Sequence, residues 1–343
     1  MVTKSNHLYF SLPAPRTFPI PVGAGQLVIL PDSASVSYSD YCAVAVDAAK
    51  ARFTRPTVDG QGFEFANPGA RVRFSTNADY LNITLNYTNL VTRLDTYNAG
   101  GLVLADGVPV ATFTRAQGLA GQIDFGVTLG ASTQRTIEIV MPYSASVDFV
   151  SALAGATFTA QAAPARPATR YVAMGDSITH GFNASAIDAS WPYKLAVAKG
   201  WQLINHGYGG RQAMAVDGTT LASLSPTVAT YLIGYNNFAS QDTLASFKAT
   251  FKSFVNNFRA VNTTAKLYCI TPTWSPNTFG ALTLEMYRQQ IRDGLTELGN
   301  ALNVLVEGLP LATNSTASFP DNVHPNDAGA AEMATALAGV VLV

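Results

Sequence analysis

The sequence predicts two folds in succession: an all-β, jelly-roll-like sandwich over residues 1–160, and an α/β domain with a parallel sheet over residues 171–343, joined by a linker at 161–170. Three observations predict this. Before about residue 165, short β-rich runs alternate with turn residues. Two prolines among small residues follow, in Gln161-Ala162-Ala163-Pro164-Ala165-Arg166-Pro167-Ala168-Thr169-Arg170, as in a semi-stiff linker. Beyond them strand-like and helix-like patterns alternate, which implies a parallel sheet covered on both faces.

The strands of the first half are expected at Leu27–Leu30, Gly62–Ala66, Arg71–Ser75, Tyr80–Thr88, Val108–Phe113 and Thr136–Pro142, with no long helix among them. In the fourth of these, Leu81, Ile83, Leu85 and Tyr87 point one way and Asn82, Thr84 and Asn86 the other, the pattern of a half-buried strand. Short strands with regular turns read as a sandwich. In the second half, strands are expected at Tyr171–Met174, Gln202–Asn205, Thr227–Ile233, Lys266–Thr271 and Val304–Val306. Helices are expected at Trp191–Lys199, Thr243–Val261, Leu282–Leu298 and Asp327–Val340. The second helix is amphipathic, with Leu244, Phe247, Phe251, Phe254 and Phe258 spaced by three and four.

Composition narrows the function classes. Charged residues are 13% of the chain, about half the usual share, and apolar residues are 48%. A polar but uncharged surface suits a neutral ligand such as a sugar. Net charge is −1, and no block of like charge appears, which argues against phosphate-neutralising contact with nucleic acid. No apolar run reaches the roughly 20 residues of a membrane span. Cys42 and Cys269 fall in different predicted domains, so no disulfide is expected. Residues 1–7 lack the basic and apolar segments of a signal peptide. A cytoplasmic location is therefore expected of the chain as it stands, and a secreted or periplasmic one if a leader has been removed. Nothing in the sequence sets an oligomeric state.

Four segments carry candidate chemistry. Gly175-Asp176-Ser177-Ile178-Thr179 ends the first strand of the second half, where a serine can expose its hydroxyl to a substrate. It reads equally as a helix N-cap. Asn205-His206-Gly207-Tyr208-Gly209-Gly210-Arg211 follows the second strand. It is either a flexible turn or a loop whose glycines let a backbone N–H face a ligand. Gln212 breaks a dinucleotide fingerprint there. Gly234-Tyr235-Asn236-Asn237 follows the third strand and offers an asparagine amide, a neutral donor that is also an ordinary turn former. Asp321-Asn322-Val323-His324 precedes the last helix. A carboxylate three residues before a histidine can accept its Nδ1–H and leave Nε2 free to take a proton from a serine.

In this order the four segments resemble the blocks of the SGNH (GDSL-type) hydrolases. Gly175-Asp176-Ser177-Ile178 matches the first block, Asn205-x-Gly207-x-x-Gly210 the second, Gly234-x-Asn236 the third and Asp321-x-x-His324 the fourth, over about residues 170–343. The resemblance implies a three-layer α/β serine esterase with Ser177, Asp321 and His324 as triad. It also implies an oxyanion hole made by the N–H groups of Ser177 and Gly210 and the amide of Asn236. The third block usually reads Gly-x-Asn-Asp; Asn237 replaces the Asp here, so the carboxylate that normally helps fix the loop is missing. No cofactor is implied, and no metal-binding pattern occurs.

A β-sandwich ahead of such a domain resembles two-domain carbohydrate esterases, which implies O-deacetylation of an acylated carbohydrate. Tyr208, Tyr235 and Trp274 are candidate sugar-stacking residues, though such aromatics are also common in cores. Two other readings stand beside it: a general short-chain arylesterase or lipase, and a carbohydrate-binding or adhesin module with a degenerate hydrolase domain.

Overall fold

The computed structural model describes residues 26–55, 66–90, 100–115 and 120–343. The strand expected at 62–66 lies outside these apart from its last residue. All regular elements of the described first half are strands: Leu27–Ile29 (β1), Ser37–Ser39 (β2), Ala43–Val46 (β3), Ala51–Thr54 (β4), Arg71–Thr76 (β5), Tyr80–Leu90 (β6), Gly101–Ala105 (β7), Val108–Phe113 (β8), Gly121–Thr128 (β9), Arg135–Val140 (β10), Ala145–Ala154 (β11) and Ala160–Gln161 (β12). They form two antiparallel sheets. One runs β3-β4-β11-β6-β9 with β1 on β11, and the other β12-β5-β10-β7-β8 with β2 on β5. Phe53, Ile83 and Phe149 of the first sheet share a core with Val72, Phe74, Ile137 and Ile139 of the second.

Alternation explains what the second sheet does with its other face. In β7, Val103 and Ala105 enter the sandwich core, while Leu102 and Leu104 join Val140 and Tyr143 in a core that also holds Trp191, Leu195 and Leu337. In β5 and β10 the outward residues are Arg71, Arg73 and Glu138, all buried. Arg71 and Arg73 both pair with Glu138, and Arg71 and Arg166 with Asp40. These strands are therefore covered on both faces. In β6 the polar face is buried too at Asn82 and Thr84, and Thr84 donates to Asp124 of the neighbouring β9 at 2.6 Å.

The segment expected as a linker is tied down along its length. Its first residue pairs with β5, the Pro164 carbonyl accepts from Arg73 at 2.9 Å, and Arg166 reaches Asp40 at 3.1 Å.

The second half follows as Arg170–Gly175 (β13), Ser177–His180 (α1), Trp191–Lys199 (α2), Gln202–Gly207 (β14), Val216–Ser223 (α3), Val228–Leu232 (β15), Tyr235–Ala239 (α4), Leu244–Val261 (α5), Lys266–Ile270 (β16), Leu284–Leu298 (α6), Asn303–Val306 (β17) and Asp327–Val340 (α7). The five strands are parallel, in the order β14-β13-β15-β16-β17. Side chains of α2 and α7 fill one face and those of α3, α5 and α6 the other. The sheet is thus the middle of three layers.

Three helices, α1, α3 and α4, were not among those expected. α3 is a poor helix former on its own, and its Gly218 lets it sit against the Phe254 carbonyl of α5. α4 occupies a segment that reads as a turn. The sites expected as helix starts at Thr243 and Leu282 begin later, because Thr243 and Thr283 serve as N-caps, accepting from Ser246 and Met286. Among the described residues no helix is long and apolar enough to cross a membrane. Cys42 and Cys269 are both free thiols.

Candidate active site

β13 pairs with β14 on one side and β15 on the other, so the strand order reverses direction beside β13. Parallel sheets open a crevice at such a point, at the carboxyl ends of the strands. Three of the four candidate segments lie there, after β13, β14 and β15.

Ser177 opens α1. The helix cap is Asp176, whose Oδ1 accepts from the Ile178 N–H at 2.9 Å, so the capping role that the sequence left open for the serine belongs to its neighbour. The Ser177 hydroxyl lies 2.7 Å from Nε2 of His324. Gly175 is needed for close approach rather than for turning: a side chain there would run into the Leu232 carbonyl and Thr179. Burial pushes the Asp176 carboxyl up to about 7, against the Ile178 hydrogen bond and the charge of His324.

Asp321 Oδ2 lies 2.6 Å from Nδ1 of His324, and Oδ1 accepts from the Val323 and His324 N–H groups at 3.0 and 2.7 Å. Asn322 turns the loop with φ of 68°. Partial burial would raise the Asp321 carboxyl, but the hydrogen bond and charge of His324 and the two backbone donors outweigh it and hold it down at about 2. Asn183 donates to the His324 carbonyl at 3.4 Å, and Phe182 sets its ring 5.5 Å from the imidazole.

The turn after β14 is tightly built. Asn205 donates to the Thr179 carbonyl at 2.9 Å and accepts from the Gly207 N–H at 2.9 Å. Gly207 packs its Cα on the backbone of His180, leaving no room for a Cβ. Gly210 is exposed and has φ of 74°, a left-handed conformation that glycine takes at no cost. Asn236 donates from one of its two amide hydrogens to the Arg211 carbonyl at 3.0 Å, tying the third block to the second.

Asn237, where the family pattern has Asp, is buried. Its Oδ1 accepts from the Ala213 N–H at 3.0 Å and its Nδ2 donates to Asp242 at 2.7 Å. The carboxylate missing from the block stands five residues on, so the loop is held where the sequence suggested looseness.

The aromatic candidates divide. Tyr208 is 3% exposed and its face is covered by the Arg55 guanidinium, which corrects its reading as a stacking surface. Tyr235 is half-buried and its hydroxyl accepts from Asn277 at 2.8 Å. Trp274 is half-buried, 5.7 Å from the ring of Phe319, two residues before Asp321. Residues the sequence did not single out include Phe182, Asn183, Asp242 and Arg55. They come from turns and strand ends with no motif of their own.

The parallel three-layer domain and its hydrogen-bonded serine, histidine and aspartate resemble those of the SGNH (GDSL-type) ester hydrolases. Residues 173–332 match the model of the GDSL-like Lipase/Acylhydrolase family. No curated protein matches the chain in sequence. Solved structures do match in fold. The salicylyl-acyltransferase SsfX3 from a tetracycline biosynthetic pathway is 18% identical with a TM-score of 0.79, over 93% of this chain and 99% of that one. A family two carbohydrate esterase from Cellvibrio japonicus is 15% identical with a TM-score of 0.69, over 92% and 96%. The acetyl xylan esterase Est2A from the rumen bacterium Butyrivibrio proteoclasticus is 13% identical with a TM-score of 0.59, over 89% and 97%. The likeness spans both halves of each chain and is one of fold. The family match and these neighbours together support an ester hydrolase.

Proposed function

We propose that the protein is a serine esterase that works through an acyl-enzyme and removes O-acetyl groups from carbohydrate. The observation that carries this is the relay Ser177–His324–Asp321, at 2.7 and 2.6 Å. Ser177 Oγ attacks the ester carbonyl while Nε2 of His324 takes its proton. Asp321 holds the proton on Nδ1, which keeps Nε2 free, and offsets the charge of the imidazolium that forms. The oxyanion is met by the Gly210 N–H, the Asn236 amide, and the Ser177 N–H, which as the first of α1 has no acceptor within the helix. His324 then protonates the leaving alcohol, and water repeats the cycle to release the acid.

The carbohydrate reading draws on three supports: the carbohydrate-active esterases among the structural neighbours, the low share of charged residues, and the half-exposed Trp274 beside the relay loop. A second reading has one specific support. SsfX3 matches over nearly its whole length and is named an acyltransferase, so an alcohol in place of water as acyl acceptor is a reading of the same acyl-enzyme.

Acetate release from acetylated xylan or glucomannan, run beside p-nitrophenyl esters of rising chain length, tests the proposal. Release that vanishes in Ser177→Ala and a strong preference for acetyl are expected. Activity surviving in Ser177→Ala removes the nucleophile. Cleavage of long-chain esters with no action on polysaccharide removes the substrate. Wild type that transfers its acyl group to an added alcohol faster than to water selects the second reading.

A further inference from the structure

The turn that carries the Gly210 N–H is held from the other half of the molecule. Arg55 follows β4 of the sandwich and is 4% exposed. Its Nη1 donates to the carbonyl oxygen of Gly207 at 2.6 Å, and its guanidinium carbon lies 4.0 Å from the centre of the Tyr208 ring. Arg211 approaches the same ring at 5.7 Å while its guanidinium pairs with the buried Asp217 of α3. The residue Gly207 is therefore gripped at both ends, its N–H by Asn205 and its C=O by Arg55, and pressed against His180 between them. The next N–H, of Tyr208, donates to the Gly175 carbonyl at 2.9 Å, two residues from the nucleophile.

We propose that Arg55 is a positioning residue for the oxyanion site: through it the sandwich sets where the Gly210 N–H points. This rests on the esterase reading above. Oxyanion donors lower the barrier only if they are aimed before the charge appears, since reorientation during the reaction consumes the gain. A turn with a glycine at its donor has little stiffness of its own. Arg55 supplies stiffness in two directions, a charge-assisted hydrogen bond along the carbonyl and a flat stack on the ring that follows it. A lysine keeps the first and loses the second, because an ammonium is a point charge without a plane.

The test uses the full chain and four proteins: wild type, Arg55→Met, Arg55→Lys, and Arg52→Met as a control. Arg52 sits in β4, the strand that Arg55 follows, and pairs with the buried Asp148, away from the turn. Each is measured for Tm, for kcat and KM on p-nitrophenyl acetate, and for inhibition by phenylboronic acid, whose tetrahedral adduct with Ser177 places an oxygen at the oxyanion site. Arg55→Met is expected to lower kcat by about 10- to 100-fold, somewhat less than deleting a donor outright. KM should stay within about twofold while boronate affinity weakens by a factor similar to that in kcat. Arg55→Lys should recover part of both. Arg52→Met should lower Tm and leave kcat and boronate affinity unchanged.

Wild-type kcat and boronate affinity in folded Arg55→Met, measured well below its Tm, overturn the proposal. So does a loss that Arg52→Met reproduces at equal Tm. If Arg55→Met does not fold, Arg55→Lys decides: a joint fall in kcat and boronate affinity at constant KM supports the proposal, and wild-type values overturn it. A wild type that neither turns over ester nor binds boronate instead fails the esterase reading itself.

Discussion

Asp321 and His324 are three residues apart in one tight loop, and the loop's own backbone N–H groups hold the carboxylate. The turn at 207–211 is held by Asn205, Arg55, Asn236 and Asp217, from four elements and both halves of the chain. The proposed base is built locally and the proposed oxyanion turn is built by assembly. Two consequences follow. The relay should survive disturbance elsewhere in the molecule, while the oxyanion turn should register it. Substitutions in the relay should act on chemistry alone, while those around the turn should act on chemistry and stability together.

Asp321→Asn should produce the largest effect. An amide facing Nδ1 donates instead of accepting, favours the wrong tautomer, and should cost about a thousand- to ten-thousand-fold in kcat. Tm should move little, since Asp321 is partly exposed. A large Tm loss would show that the loop is less self-contained than its hydrogen bonds indicate. Asn236→Ala should follow, with kcat down about 100- to 1000-fold and KM nearly unchanged. Because Asn236 also ties the third block to Arg211, Tm should fall with it. An unchanged kcat would remove Asn236 from the oxyanion site.

Acid should discriminate between the two regions. His206, in the strand that leads into the oxyanion turn, is buried, and burial beside Arg55 and Arg211 pushes it down to about 3 from the ordinary histidine value. The folded state then keeps it neutral while the unfolded chain takes up a proton below about 6.5. Its contribution is therefore complete above that pH and is lost as pH falls toward 3, about 2 kcal/mol being gone by pH 5. His180 is shifted in the same direction, by burial first and Arg55 second. Asp321, held at about 2, stays ionised across this window. Tm measured at pH 7 and pH 5 should drop more in wild type than in His206→Leu; equal drops would show that His206 is solvated.

The smallest effect expected is at Asn237. Asn237→Asp sets a second carboxyl against Asp242 at hydrogen-bond distance, so one of the two must hold a proton. A loss of about 1–2 kcal/mol is expected, read as a lower Tm with a severalfold lower kcat. Asp242→Asn in the same chain should restore both. Failure of the double variant to recover would mean that the two residues do not act as a pair.

The same contrast governs what could be read from the sequence. Asp321 and His324 were legible because their partnership is a spacing, as were α2 and α7, whose ends coincide with local signals. Asn205, Gly207, Gly210 and Asn236 were legible as motif members, but nothing nearby says what holds them. Tyr208 read as a stacking surface because Arg55, which covers it, lies some 150 residues earlier. Asn237 read as a loss because Asp242 belongs to no block. β6 read as half-buried because alternation reports that two faces differ, not that the polar one is covered as well. Trp274 was legible as a candidate stacking aromatic, but its place beside the last block depends on its contact with Phe319.

The core that contains Leu102, Leu104, Val140 and Tyr143 alongside Trp191 and Leu337 belongs to neither fold alone. A cut between the halves would leave each with a raw apolar face, and the hydrolase half would also lose Arg55. Exchange of whole modules, a common route by which an enzyme acquires a new target, is therefore costly for this chain. Its freedom to change substrate lies in the loops around the crevice, and the two folds must be inherited as one unit.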